Sequence, residues 1–372
     1  MRILFVSTNT NPLEPPINGD AQRTCLLYEA CKRIAEVDVV TFAGQEEHPK
    51  RVGRWKKWTA LLPWSATTAL FPVDPEREAV VDAAIQNTEY DLIVARYFYR
   101  AIPCGLWKYH DRLVIDFDDA LPFFFLNQIT PKSAMTSRIR LRWSARRAET
   151  ITRQAVRKMK TAFFAEETVA KANHAVFLPN IPYYSGECAD ADMSAEVKRI
   201  VFVGQLEYKP NREGVDRFLE RVYQPLTQRL PKLELHLVGV IGDETLRQRW
   251  QRYPGVTVTG FVDDLRQEYA ESHVAVVPVY QCGATNIKLL EAMSMNRACV
   301  TTQEALEKTH GRFEKGRDLM AASSDEEFFE MLTRLLTDEK ENLKIAHNGK
   351  AAMDRYYSLN VFCDIVANQL TR

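Results

Sequence analysis

The fold is decided by one stretch near the C-terminal end, which reads Val276-Val-Pro-Val-Tyr-Gln-Cys-Gly-Ala-Thr-Asn-Ile-Lys-Leu-Leu-Glu-Ala-Met-Ser-Met-Asn-Arg-Ala-Cys-Val-Thr-Thr302. Its pattern predicts a buried strand over 274–279, a short loop of small residues, a helix over 286–295 and a second buried strand over 298–301. The apolar residues of the helix recur at helical spacing and so share one face. The stretch therefore predicts one strand–helix–strand unit of a parallel sheet.

Two charged side chains stand on the first turns of this helix, Lys288 and Glu291, three residues apart. A cation for phosphate oxygens and a carboxylate for ribose hydroxyls suit a nucleotide diphosphate. The small residues 283–285 before the helix would let a ligand approach backbone N–H groups at its positive end. The same pattern also fits an ordinary crossover helix with a solvated Lys–Glu pair on its surface.

Length and composition describe a globular protein of two domains. The chain has 372 residues, is 46% hydrophobic and 26% charged, and carries no formal net charge, which predicts two cores and argues against general nucleic-acid binding. Its seven cysteines form no CxxC pair, which indicates reduced thiols in a cytoplasmic protein without a zinc site. The N-terminal apolar run is too short for a signal peptide, and no apolar run is long enough to cross a membrane.

Strands and helices alternate along both halves, which predicts two doubly wound α/β domains with parallel sheets. The first half opens with a strand at 2–7, a loop at 8–20 and a helix at 21–35. Gly19 in that loop fits either a close approach to a ligand or a simple turn, and the loop is not a dinucleotide fingerprint. In the second half three predicted strands end in glycine, at Gly204, Gly239 and Gly260, which would leave that edge open for a ligand.

Three carboxylates follow the predicted strand at 112–116, in the order Asp116-Phe-Asp118-Asp119. Active sites of parallel sheets are built at this end of the strands. Neighbouring carboxylates raise one another's pKa, which would equip one of them as a base or as an acceptor contact. Helix capping and binding of a divalent metal are the alternatives.

Two segments are strongly basic. Residues 48–73 interleave five Lys/Arg with three Trp, and residues 132–160, predicted as one long helix, carry ten Lys/Arg against Glu149 alone. Both fit contact with an anionic membrane surface, and the second also fits a phosphate-bearing acceptor. Each segment also has an alternative interpretation. Residues 48–73 could be a basic loop or helix that covers the sheet, and residues 132–160 could be a helix with a solvated face. RNA binding fits less well because stacking aromatics do not line the helix.

Four blocks in order resemble the family 4 glycosyltransferases of the GT-B fold, which transfer sugars from nucleotide diphosphates. They are Phe202-Val-Gly-Gln-Leu-Glu-Tyr-Lys-Pro-Asn-Arg-Glu-Gly214, Leu237-Val-Gly239, Val256-Thr-Val-Thr-Gly-Phe-Val-Asp-Asp-Leu265 and Gly283-Ala-Thr-Asn-Ile-Lys-Leu-Leu-Glu-Ala-Met293. The resemblance implies two Rossmann-like domains facing a cleft. The expected limits are an acceptor-side domain at 1–185, a linker at 186–196, a donor domain at 197–355 and a helix at 356–372 crossing back.

The resemblance also implies the roles of individual residues. Glu291 would bind the donor ribose, Lys288 and Arg212 would bind phosphate, and residues 261–263 would flank the base. The whole expected donor set is Gly19, Gly204, Arg212, Phe261, Val262, Asp263, Gly283, Ala284, Thr285, Asn286, Ile287, Lys288 and Glu291. Asp116, Asp118 and Asp119 are the expected catalytic residues, and neither a cofactor nor a metal is expected.

Two positions depart from the family pattern. Gly283 stands where a sugar-contacting glutamate is usual, and Asp118 stands where many relatives carry histidine. A carboxylate at 118 would allow inversion by deprotonating the acceptor directly; otherwise the family favours retention.

The expected activity is that of a cytoplasmic hexosyltransferase at the inner membrane face. It would use a sugar nucleotide, with UDP as the expected nucleotide, in polysaccharide or lipopolysaccharide biosynthesis. A cell-surface glycan or a lipid-linked acceptor would receive the sugar. A catalytically silent protein that binds a nucleotide sugar, and a GT-B epimerase or phosphorylase, are the competing interpretations.

Overall fold

The computed structural model describes residues 1–16, 19–44, 71–118, 121–126, 129, 134–183, 186, 188–281 and 285–372. These residues form two compact units, one of Met1–Pro179 with Leu359–Arg372 and the other of Asn180–Ser358. Each unit contains a parallel sheet of six strands flanked by helices. The predicted α/β class, with two doubly wound parallel sheets, is confirmed.

In the first unit the strands lie in the order β2-β1-β3-β4-β5-β6. Their bounds are β1 (Arg2–Ser7), β2 (Glu36–Thr41), β3 (Leu92–Arg96), β4 (Leu113–Asp118), β5 (Thr161–Phe164) and β6 (Val176–Phe177). The helices are α1 (Gly19–Lys32), α2 (Pro75–Asn87), α3 (Phe98–Ala101), α4 (Leu121–Leu126), α5 (Met135–Val156) and α6 (Glu167–Ala172), with 3₁₀ turns at Ile102–Cys104 and Leu106–Arg112. The direction of strand order reverses between β1 and β3, the position where ligands bind in such sheets.

In the second unit the order is β12-β11-β10-β7-β8-β9, and it reverses between β7 and β10. The strands are β7 (Lys198–Val203), β8 (Leu233–Val238), β9 (Val256–Gly260), β10 (Val274–Val277), β11 (Ala298–Thr302) and β12 (Met320–Ala322). The helices are α7 (Lys209–Phe218), α8 (Gln224–Arg229), α9 (Glu244–Trp250), α10 (Leu265–Ala270), α11 (Ile287–Ser294), α12 (Gln303–Glu307), α13 (Asp325–Thr337) and α14 (Glu339–Tyr357), and a π-helical turn at Leu219–Tyr223 joins α7 to α8.

The limits of the units differ from the predicted domain limits. The first unit ends at Pro179, and much of the predicted linker 186–196 packs on the second unit. Arg297, whose whole residue is 1% exposed, donates from Nη2 to the carbonyl of Ala189 at 2.7 Å. This segment is therefore a structured part of the second unit, because a buried guanidinium needs the carbonyl acceptors that it supplies.

The last helix of the chain, α15 (Leu359–Leu370), belongs to the first unit and packs on α1. Phe362, Cys363 and Val366 on its inner face are buried. Within the described residues no helix combines the length and the apolar character that crossing a bilayer needs.

Candidate functional site

The loops after β7 and β10 flank the point where the second sheet reverses its strand order. Gly204 follows β7, and the loop after β10 leads into α11, which carries Lys288 in its first turn. A Cβ atom at Gly204 would lie 2.3 Å from Cε of Lys288. The Lys288 side chain thus lies directly over the end of β7, at the position where open α/β sheets bind their ligands.

Close packing explains two of the three glycines at the strand ends. At Gly239 a Cβ atom would lie 1.8 Å from the carbonyl oxygen of Gly204, and φ is +139°. At Gly239 the space that a side chain would need is filled by backbone, and at Gly204 it is filled by the Lys288 side chain. The predicted contact of Gly204 with a ligand stays a prediction. Gly260 has a φ of +86°, a backbone conformation that favours glycine even without close packing.

Helix α11 begins with a side-chain cap. The Oδ1 atom of Asn286 accepts a hydrogen bond from the backbone N–H of Lys288 at 3.2 Å, and Thr285 donates from Oγ1 to the carbonyl of Lys308 at 2.7 Å. Both side chains therefore fix the start of the helix. Ile287 is half-buried. Gly283 and Ala284 lie outside the described residues, so their predicted backbone contacts stay predictions.

Glu291 lies one turn further along α11 and is 6% exposed. Tyr269 of α10 donates its hydroxyl to Oε1 of Glu291 at 2.8 Å. Burial raises the pKa of Glu291 to about 7, against the opposing effects of this hydrogen bond and of the Lys288 charge. The alternative of a solvated Lys–Glu pair is therefore wrong, because a surface carboxylate would be exposed to water.

The remaining predicted donor residues lie on neighbouring elements of the second unit. Arg212 is exposed in the first turn of α7, beside Asn211, which contacts the end of β7 through a 2.7 Å hydrogen bond to the carbonyl of Gln205. Among the described residues Arg212 has no ion-pair partner. Phe261, which follows β9, is 65% exposed; Val262 is half-buried and Asp263 exposed.

In the first unit a buried cluster of charges occupies the carboxyl ends of β3 and β4. Asp116 is inaccessible to solvent and accepts from Arg23 at 2.8 Å on both oxygens and from Nε of Arg96 at 2.9 Å. Burial alone would raise the pKa of Asp116, but the charges and hydrogen bonds of the two arginines lower it. A raised pKa was predicted for one of the three aspartates, and it does not occur at Asp116, which is a buried ion-pair partner and not a base.

Asp118 stands at the rim of this cluster, with 18% of its side chain exposed. Its Oδ2 atom accepts from Nη2 of Arg96 at 2.7 Å and from the hydroxyl of Tyr97 at 3.2 Å. The same Tyr97 hydroxyl also lies within hydrogen-bonding distance of Oδ1 of Asp20 in α1, so the two carboxylates share its single proton. Tyr97 and Asp118 both have positive φ, +57° and +60°, a strained conformation for such side chains that is common at functional positions.

Sequence reasoning missed four members of this cluster: Asp20, Arg23, Arg96 and Tyr97. The available signal was an arginine ending a strand of five buried residues, Leu92–Arg96, since arginine is seldom buried without a carboxylate partner. Asp119 lies outside the described residues. Gly19 is the first residue of α1, and a Cβ atom there would meet no atom within 4 Å.

Residues 197–338 match the family model described as glycosyl transferases group 1. They form a group 1 glycosyltransferase domain. The chain that carries this domain is therefore a glycosyltransferase. All second-unit residues of the candidate site fall within the matched segment of the glycosyltransferase.

Solved structures of low sequence identity share the GT-B fold of the glycosyltransferase. HepE of Anabaena in complex with UDP is 17% identical, with a TM-score of 0.65 and complete coverage of both chains. HepE in complex with UDP-glucose has a TM-score of 0.63, at 17% identity and with 100% of this chain and 99% of that chain covered. Sucrose-phosphate synthase from Thermosynechococcus elongatus is 14% identical with a TM-score of 0.66, covering 99% of this chain and 97% of its own. No curated protein sequence matches the glycosyltransferase.

Proposed function

We propose that the protein transfers the hexose of a UDP-hexose to a cell-surface glycan or a lipid-linked acceptor, with retention of configuration and release of UDP. The observation that carries the donor assignment is the position of Lys288 over the end of β7, with the buried Glu291 one turn further along the same helix. A cation at the strand-order reversal suits a diphosphate, and a carboxylate set deeper suits the ribose. UDP as the nucleotide agrees with the ligand bound to HepE.

Each residue then has a chemical task. Lys288 and Arg212 neutralise the negative charge that develops on the leaving diphosphate, which is the electrostatic contribution to catalysis. Glu291 accepts hydrogen bonds from ribose hydroxyls, with Tyr269 holding its carboxyl group in place. Asp118 contacts the acceptor hydroxyl, and the charged cluster beneath it fixes its orientation. None of these tasks uses a metal or a cofactor.

Nucleotide release tests this function. The full-length protein is incubated with UDP-, GDP-, ADP- and dTDP-sugars and a membrane extract as the source of acceptor. UDP-sugar turnover is expected, and Glu291→Ala should raise the donor KM about tenfold or more, since hydrogen bonds to a charged group contribute about 1.5–3 kcal/mol. Lys288→Ala should lower kcat, whereas Lys209→Ala, which removes an exposed cation from the start of α7, should change neither constant. Absence of turnover with every sugar nucleotide would exclude the proposal.

A second candidate is a catalytically silent protein that binds a nucleotide sugar. Gly283, which occupies the position of the usual sugar-contacting glutamate, motivates it. Calorimetry separates the two functions, because UDP binding that depends on Glu291 but is accompanied by no turnover supports the silent protein. An epimerase would instead convert the sugar nucleotide without any acceptor.

A further inference from the structure

Helix α5 exposes a row of large apolar side chains. Met135 is 70%, Ile139 61% and Trp143 51% exposed. They are spaced four residues apart, so they lie within an arc of about 80° on one face of the helix. The opposite face packs on the first unit through the buried residues Ala145, Ala148, Ile151, Thr152 and Ala155. The inner face of α5 is therefore satisfied by the core, while its outer face presents apolar area to solvent.

The outer face is also strongly basic. The helix carries six arginines and a single acidic residue, Glu149, which forms with Arg153 the one ion pair of α5 among the described residues. Arg140, Arg142 and Arg146 are exposed. By helical spacing, Arg146 falls within the arc of the apolar residues, Arg142 lies about 20° outside it beside Met135, and Arg140 lies about 60° beyond Trp143. Cations and large apolar groups thus share one exposed surface.

We propose that this surface of α5 lies in the interface of an anionic lipid bilayer. Met135, Ile139 and Trp143 enter the boundary between head groups and acyl chains, and the arginines contact lipid phosphates. Tryptophan is particularly suited to this boundary because its ring is apolar and its N–H is polar.

Charge and apolar area together select the lipid surface as the occupant. A protein partner covering the apolar row would have to supply several carboxylates at the spacing of the arginines. RNA would pair with the arginines but would leave Met135 and Ile139 in water. An anionic bilayer can contact the arginines and the apolar row at the same time, and its lipids need not be arranged in one fixed pattern. The inference deepens the proposed function by naming the surface where the acceptor is met, but it needs neither donor nor acceptor and can fail separately.

Vesicle sedimentation tests the proposal with the full-length protein. Vesicles of phosphatidylcholine alone are compared with vesicles containing about one third phosphatidylglycerol. The protein is expected to sediment with the anionic vesicles only, and binding should weaken as salt rises because the phosphate contacts are screened. Equal binding to both vesicles, or binding to neither, would overturn the proposal.

Two sets of variants assign the binding to α5. Ile139→Glu with Trp143→Glu should lower the partition coefficient at least tenfold. The matched control is Val80→Glu on α2, which changes an equally exposed apolar residue (50%) and should leave binding unchanged. The triple variant Arg140→Gln, Arg142→Gln, Arg146→Gln should lower the partition coefficient on the order of 100-fold, from about 1 kcal/mol per cation. All substituted side chains are exposed, so the circular dichroism spectrum should match that of the wild type.

Fluorescence locates Trp143 directly. Lipids brominated on the acyl chain should quench wild-type protein more strongly than the Trp143→Phe variant, which keeps the apolar surface and should still sediment. Unchanged quenching in this variant, or full vesicle binding by the Ile139→Glu, Trp143→Glu protein, would place the contact elsewhere and refute the role of α5. Retention of a short RNA by the wild type in place of the vesicles would refute it as well.

Discussion

Replacing Glu291 by glutamine should stabilise the protein in a manner that depends on pH. The pKa of this carboxyl group is about 7 in the folded chain against 4.5 ordinarily. Between these values the folded state holds a proton that the unfolded state has lost, so stability falls as the pH rises from 4.5 to 7 and levels off above. The difference of about 2.5 pKa units corresponds to about 3 kcal/mol. Glutamine stays neutral and keeps an oxygen that can accept from Tyr269.

Urea unfolding of the full-length protein at a series of pH values provides the assay. The wild type and Glu291→Gln should have nearly equal free energies of unfolding near pH 4.5. The variant should be more stable by up to about 3 kcal/mol near pH 8. Glu220→Gln, at a side chain that is 64% exposed, should follow the wild type throughout. Parallel curves for wild type and Glu291→Gln across this range would refute the reasoning, because they would mean that burial does not hold the proton on Glu291.

Three further substitutions test close packing and buried charge. Gly204→Ala should displace the Lys288 side chain, whose Cε would lie 2.3 Å from the new Cβ, and calorimetry should show weaker UDP binding with an unchanged melting temperature. Gly214→Ala should lower the free energy of unfolding by about 1–3 kcal/mol, because the new Cβ would lie 1.9 Å from the backbone carbonyl oxygen of Pro278. Asp116→Asn should cost about 3–5 kcal/mol in urea unfolding, since it removes the fully buried carboxylate that Arg23 and Arg96 share; a loss below about 1 kcal/mol would contradict the buried ion-pair network.

The strand-helix alternation was predictable because buried parallel strands are short apolar runs and their crossover helices have regular spacing. Strand β12 escaped prediction, since Met320–Ala322 is too short to show any period. The helical segment that begins with α7 contains a π-helical turn at Leu219–Tyr223. Pro225 lies two residues after this turn and lacks a backbone N–H, so it disturbs the regular hydrogen bonding there.

The candidate site likewise has a part that the sequence predicts and a part that it does not. Lys288 and Glu291 were predictable because they lie in one helix, where sequence spacing fixes their relative positions. The cluster around Asp116 was not, because Arg23, Arg96 and Asp116 come from separate elements that only the topology of the sheet brings together. The neighbouring aspartates alone predicted a raised pKa, whereas the two arginines that reverse the shift are distant in sequence.

The membership of α15 in the first unit imposes an order on biosynthesis. Residues 180–358 form the second unit, so the ribosome has to make all of them before Leu359–Leu370 can pack on α1. At about 5–20 residues per second, that delay is roughly 9–36 s. Throughout this interval the side of α1 that α15 later covers lacks its packing partner. The first unit is thus completed only after the whole second unit has been synthesised.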